Sequence, residues 1–104
     1  MNTGTAKTTP DTFVQRGDVT QFRYNVREVE KETEQGTETF HKYDYVEVPR
    51  KALSYKTLVD ACIRNKYDIN DEFNLIKKPA DDPDRVAYEE YVDQCKQYAT
   101  EAMS

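Results

Sequence analysis

The chain has no tryptophan, a single histidine, two cysteines and three glycines among its 104 residues. Each shortage closes off a kind of chemistry. The one imidazole, His41, has no second histidine or neighbouring cysteine with which to share a metal, so no metal ligand is expected. Three glycines leave no G-x-G-x-x-G or G-x-x-x-x-G-K run, so no nucleotide site and no other cofactor is expected. Neither Cys62 nor Cys95 has a basic partner at a spacing visible in the sequence, which leaves no nucleophile and base to pair. The chain therefore reads as a non-enzyme, with no catalytic residue and no small-molecule substrate in evidence. The acidic run "DDPD" at 81–84 lacks the alternating ligands, central glycine and terminal glutamate of a calcium loop, and reads as helix capping.

Long apolar runs are missing too. No stretch approaches the roughly 20 apolar residues of a membrane span, and the polar start lacks the basic-then-apolar layout of a secretion signal, so no membrane contact and a cytoplasmic location are expected. In that compartment Cys62 and Cys95 are expected as free, buried thiols, with a bridge between their helices as the alternative. An excess of positive charge is also absent. Net charge is −5; residues 1–53 carry 8 basic and 9 acidic side chains, and residues 54–104 carry 7 and 11. Nonspecific attraction to phosphate draws on surplus Lys and Arg, so nucleic acid is disfavoured as a partner.

The organisation that remains is legible. "MNTGTAKTTPDTFVQRGD", rich in Thr and Gly, predicts a mobile tail over 1–18, with Phe13 and Val14 left open as a short added strand. Residues 19–104 read as one α+β domain. Within it, "TQFRYNVREVEKETEQGTETFHKYDYVEVPR" alternates β-branched and aromatic residues about a polar, glycine-containing centre, the pattern of a β-hairpin or small antiparallel sheet. A three-residue loop Glu34-Gln35-Gly36 would pair residues whose numbers sum to 70, setting Phe22 against Val48, Tyr24 against Val46 and Glu28 against Lys42. One face then holds Phe22, Tyr24, Val26, Val46 and Val48. The other holds Arg23, Arg27, Tyr43 and Tyr45, a candidate surface for a protein partner.

Three helices follow, the last of them longest. Ser54 is placed to cap a helix with Tyr55, Leu58, Val59, Cys62 and Ile63 on one stripe. Asp68 caps a shorter helix expected to turn Ile69, Phe73 and Ile76 inward, and Pro79 stops it. Asp82 and Pro83 open the third, whose stripe runs from Tyr88 through Tyr91, Cys95 and Ala99 to Ala102. Because an isolated hairpin is marginal in water, the hairpin is expected to pack on these helices. Two helices joined by a short turn also allow a helix-turn-helix DNA-binding regulator with a basic patch of Lys56, Arg64, Lys66, Lys77 and Lys78. Asp68, Asp71 and Glu72 at the start of its second helix would repel phosphates.

The C-terminal half carries a further pattern: a helix ending in Ile63, Arg64, Lys66 and Tyr67, an acidic cap with Asp71 and Glu72, and a final helix with Glu90 and Tyr91 beside Tyr88. This resembles a group of small uncharacterised proteins of Bacteroides-type gut bacteria and their prophages. The resemblance brings no activity; it implies a phage-related structural or assembly role and, for a phage protein, a virion-associated location. Together these features point to a non-enzymatic interaction or assembly protein with a protein partner, a homodimer being one form of it.

Overall fold

The computed structural model describes residues 1–104 as two compact units, Met1–Lys51 and Ala52–Ser104. The first is a four-stranded antiparallel sheet of β1 (Thr3–Ala6), β2 (Phe13–Arg16), β3 (Val19–Thr33) and β4 (Gly36–Pro49), in the order β1-β4-β3-β2. The second holds the helices α1 (Tyr55–Arg64), α2 (Ile69–Ile76) and α3 (Pro83–Met103), after a short 3-10 turn at Arg50–Ala52. The class is α+β, and α3 is the longest helix. The boundary between the units falls inside the span 19–104 that the sequence suggests is one domain.

Within the tail expected over 1–18, residues 3–6 form a strand, and residues 13–16 form the short strand left open at Phe13 and Val14. Composition understates this segment because its ordering rests on hydrogen bonds to strands already formed. β1 adds to β4 through pairs such as Gly4 with Tyr43, and β2 folds back on β3 across the tight Gly17-Asp18 turn, where Gly17 takes a left-handed φ of 65°. Phe13 stacks on Phe22 with centroids 5.6 Å apart, which adds apolar contact to the ladder.

The β3–β4 hairpin forms, with a different register. Its loop is two residues, Glu34-Gln35, between the pair Thr33 and Gly36. The Thr33 hydroxyl accepts from Gln35 N–H at 3.3 Å and donates to the Gly36 carbonyl at 2.9 Å, which holds the turn. Paired numbers therefore sum to 69 beside the turn, and Lys31 faces Glu38 rather than Glu32 doing so. At Asn25-Val26 a bulge sets two residues of β3 against one of β4, and Asn25 adopts a φ of 51°. Beyond it the sum is 68, so Phe22 pairs with Val46 and Thr20 with Val48.

Side chains alternate with period two, so the shift from the expected 70 to 68 preserves the faces of the inner half. Phe22, Tyr24, Val46 and Val48 share one buried face, as expected. The outer half is inverted. Val26 leaves the apolar stripe and is 44% exposed.

Each helix starts where its capping residue stands. Ser54 and Asp68 both close capping boxes, with Thr57 and Asp71, and Asp82 accepts from Asp84 N–H ahead of α3, with Pro83 in its first turn. Leu58, Val59, Cys62 and Ile63 of α1 are buried, as are Tyr88, Tyr91, Cys95 and Ala99 of α3. Tyr55, placed on the inner stripe by spacing alone, is half exposed at the start of α1.

Candidate functional site

The four residues proposed for the sheet's partner surface do not stay together. Tyr43 is only 8% exposed, because its ring lies over Gly4 of β1; a Cβ at position 4 would stand 2.6 Å from the ring. The missing side chain of Gly4 is the space the tyrosine fills. Arg23 sits on the same ring, its guanidinium carbon 4.8 Å from the centroid, and its Nε donates to Gln21 Oε1 at 2.8 Å. Tyr45 lies beside Tyr43 and is half-buried. The bulge carries Arg27 to the opposite face. There its guanidinium donates to Asp44 Oδ1 at 3.2 Å, while Asn25 Nδ2 donates to Asp44 Oδ2 at 3.0 Å. The partner surface of Tyr43, Tyr45, Arg23 and Arg27 is corrected accordingly: Arg23 and the two tyrosines form a packed cluster, and Arg27 belongs to a second one.

Asp44 is the residue that sequence reasoning missed. Alternation along β4 places it on the buried face between Tyr24 and Val46, and it is 4% exposed. A carboxylate there is tolerated because both oxygens receive donors, and both donors come from beside the bulge. The only signal in the sequence was an acidic residue at an apolar-face position.

In the helical unit, Glu72 joins α2 to its neighbours. Its carboxylate accepts a two-pronged contact from Arg64 at 3.1 and 3.3 Å and a hydrogen bond from the Tyr88 hydroxyl. The Arg64 hydrogen bond, reinforced by Tyr88, holds the Glu72 carboxyl below the usual carboxylate range. Burial, then the bond to Glu72, pushes the Tyr88 hydroxyl up to about 12. A carboxyl whose folded value is depressed adds stability above its unfolded pKa and loses it as pH falls through the depressed value. Acidification below the ordinary carboxylate range is therefore expected to loosen α2 before the rest of the unit. Amide exchange along α2 reads this directly, and Glu72→Gln is expected to abolish the acid dependence; the effect is small, below about 1 kcal/mol, since both partners are partly solvated.

Cys62 and Cys95 are both free and fully buried, and they meet: Cys95 lies within hydrogen-bonding reach of Cys62, on facing helices. That bond and burial push the Cys95 thiol well above the ordinary range, so Cys95 stays protonated and is a poor nucleophile. Tyr91 completes the cluster. Its hydroxyl lies 3.9 Å from Cys62 Sγ and donates to the Cys62 carbonyl at 2.7 Å. This carbonyl belongs to the last turn of α1, where the Lys66 N–H turns instead to the Ile63 carbonyl.

The five residues of the basic patch are largely engaged. Arg64 pairs with Glu72 and Lys78 with Asp84, at 3.1 and 3.0 Å. Lys66 stands over the rings of Tyr67 and Tyr91, and Lys77 over Phe73, leaving Lys56 alone at the start of α1. A hollow of about 340 Å³ beside α2 includes Lys66 and Lys78, but Asp71 lines it as well, so its charge is mixed.

The outward side of α2 departs furthest from expectation. Ile69, Phe73 and Ile76, expected to turn inward, are 69%, 54% and 51% exposed. Their spacing of four and three places them on one stripe, while Leu75 and Glu72 occupy the side toward the other helices. The inner positions went to the residues that reach Arg64 and Tyr88. Periodicity finds an apolar stripe and does not say which side of a short helix the unit covers. No group of three His, Cys, Asp or Glu side chains is placed to hold a metal ion, and no helix is long and apolar enough to cross a membrane. No family model, curated protein or solved structure matches the chain.

Proposed function

We propose that the protein is a non-enzymatic interaction or assembly module that contacts its partner through the outward stripe of α2. The observation that supports this most is the exposure of Ile69, Phe73 and Ile76 together on an eight-residue helix whose polar side is tied down by Arg64 and Tyr88. Three large apolar side chains along about two turns of helix, bordered by charged residues, are the composition of a contact surface. A phage or prophage assembly role is consistent with the resemblance of the C-terminal half. The DNA-binding alternative draws less support, since Arg64 and Lys78 already hold carboxylates.

Capture from the native cell with quantified partners tests the reading, comparing the wild type with Phe73→Glu and with Tyr45→Ser on the sheet. Phe73→Glu is expected to lower partner recovery at least about tenfold, and Tyr45→Ser to leave it near wild type. Recovery should hold as salt rises from low to moderate concentration, whereas a phosphate-based contact would fall steeply. Full recovery with a folded Phe73→Glu protein would remove α2 from the reading.

A further inference from the structure

The stripe on α2 is suited to a copy of itself, and we infer that two chains associate by packing their α2 helices antiparallel about a twofold axis close to Phe73. The inference rests on the reading of α2 as a contact surface and names its occupant. Three features of the helix support it.

The first is symmetry of spacing. Ile69 and Ile76 stand four residues before and three after Phe73, so reversing the helix about a point near Phe73 lays Ile69 of one chain against Ile76 of the other and brings the two Phe73 rings together. At about 1.5 Å per residue the centres of symmetry for these contacts differ by less than one residue step, well within side-chain adjustment. An isologous contact requires such self-complementarity, and the stripe has it.

The second is charge. Asp68 and Asp71 lie at the start of α2 and Lys77 at its end, while Glu72 and Lys78 are already paired with Arg64 and Asp84. Antiparallel packing puts the acidic start of each helix level with the basic end of the other and opposes the two macrodipoles. Parallel packing would set like charges side by side at both ends. A parallel pair is therefore disfavoured by the same residues that favour the antiparallel one.

The third is the border of the stripe. The Lys77 ammonium rests 4.0 Å from the centroid of the Phe73 ring, and Glu72 is neutralised by Arg64. The apolar centre is thus flanked by a cation already seated on its aromatic ring and by a carboxylate that carries its own counter-charge. Neither needs a new partner when water leaves the stripe. Three side chains offer well under the roughly 800 Å² per partner of a standard interface, so the pair is weak, with a dissociation constant in the range of about 10 µM to 1 mM.

Sedimentation equilibrium of the full chain, from about 5 µM to 1 mM, is expected to show a monomer–dimer equilibrium that Phe73→Glu weakens at least tenfold. Circular dichroism of that variant checks that α2 is intact; position 73 is half solvated and glutamate is a good helix former, so it should be. Orientation is read by cross-linking. Phe73→Cys alone, near the axis, is expected to form a disulfide-linked dimer under mild oxidation. Ile69→Cys and Ile76→Cys are each expected to cross-link poorly alone and efficiently when mixed, while Cys62 and Cys95 stay buried. Equal self-cross-linking of all three single variants would indicate a parallel pair and overturn the inference. A chain that stays monomeric at 1 mM also overturns it; if Phe73→Glu still loses partners in the capture experiment, the contact-surface reading stands without self-association. A dimer indifferent to Phe73→Glu places the twofold elsewhere and overturns the inference as well.

Discussion

Phe22→Ala is expected to destabilise the sheet by about 3–5 kcal/mol, while Val26→Ala, four residues along the same strand, changes it by no more than about 0.5 kcal/mol. Phe22 is 1% exposed and stacks between Phe13 and Tyr24, with centroids 5.6 and 5.2 Å away. Truncation removes both contacts and leaves a cavity that backbone hydrogen bonds keep from collapsing. Val26 has the same parity, and simple alternation would place it on the same face. The bulge turns it to solvent, where shortening the side chain costs little. Denaturant titration followed by strand amide resonances gives both numbers. Comparable losses for the two variants would mean that the strand runs without the bulge, and that Arg27 and Asp44 are not joined as described.

Tyr91→Ala is expected to cost the helical unit about 3–5 kcal/mol, and Tyr91→Phe about 1–3 kcal/mol of that. The ring packs edge-on to Tyr67 at 5.6 Å and lies under Lys66, so alanine forfeits apolar burial and a cation–π contact together. Phenylalanine keeps both and removes only the hydroxyl, which leaves the Cys62 carbonyl without the donor it has at 2.7 Å. Helix-monitored unfolding of the two variants separates burial from hydrogen bonding. A neutral Tyr91→Phe would show that water or a neighbouring amide replaces the hydroxyl, and that α1 ends without help from α3.

What could be read from the sequence follows a physical division. Features decided within a few residues were visible: Ser54, Asp68 and Asp82 as caps, Pro83 in the first turn, the buried stripes of α1 and α3, and a hairpin around residues 34–36. Features decided between distant segments were not. Whether Thr3–Ala6 forms a strand depends on a free edge of β4 and on Gly4 lying under the Tyr43 ring, and neither the edge nor the ring is encoded in those four residues. The loop came out one residue shorter than supposed because Thr33 supplies its own hydrogen bonds to the turn. The bulge was hidden for a related reason: its positive φ falls on Asn25 rather than on a glycine, and its reward, the double contact with Asp44, lies 19 residues away. α2 was placed and capped correctly but turned the wrong way. Its apolar stripe outweighed Glu72 in the pattern, whereas in the structure Glu72 takes the inner side and meets Arg64 and Tyr88.

The extra residue in β3 also makes the outer hairpin tolerant of changes in chain length at particular places. Between the bulge and Thr33, gaining or losing a pair of residues would lengthen or shorten the ribbon and leave its two sides chemically as they are. Loss of either Asn25 or Val26 alone would remove the bulge and let the strand run straight through, with Arg27 still opposite Lys42 and Val29 still opposite Phe40, so both sides of the ribbon would keep their residues. Loss of one codon could thus straighten the hairpin without changing what it shows to solvent, at the cost of the bend that lets Asn25 reach Asp44.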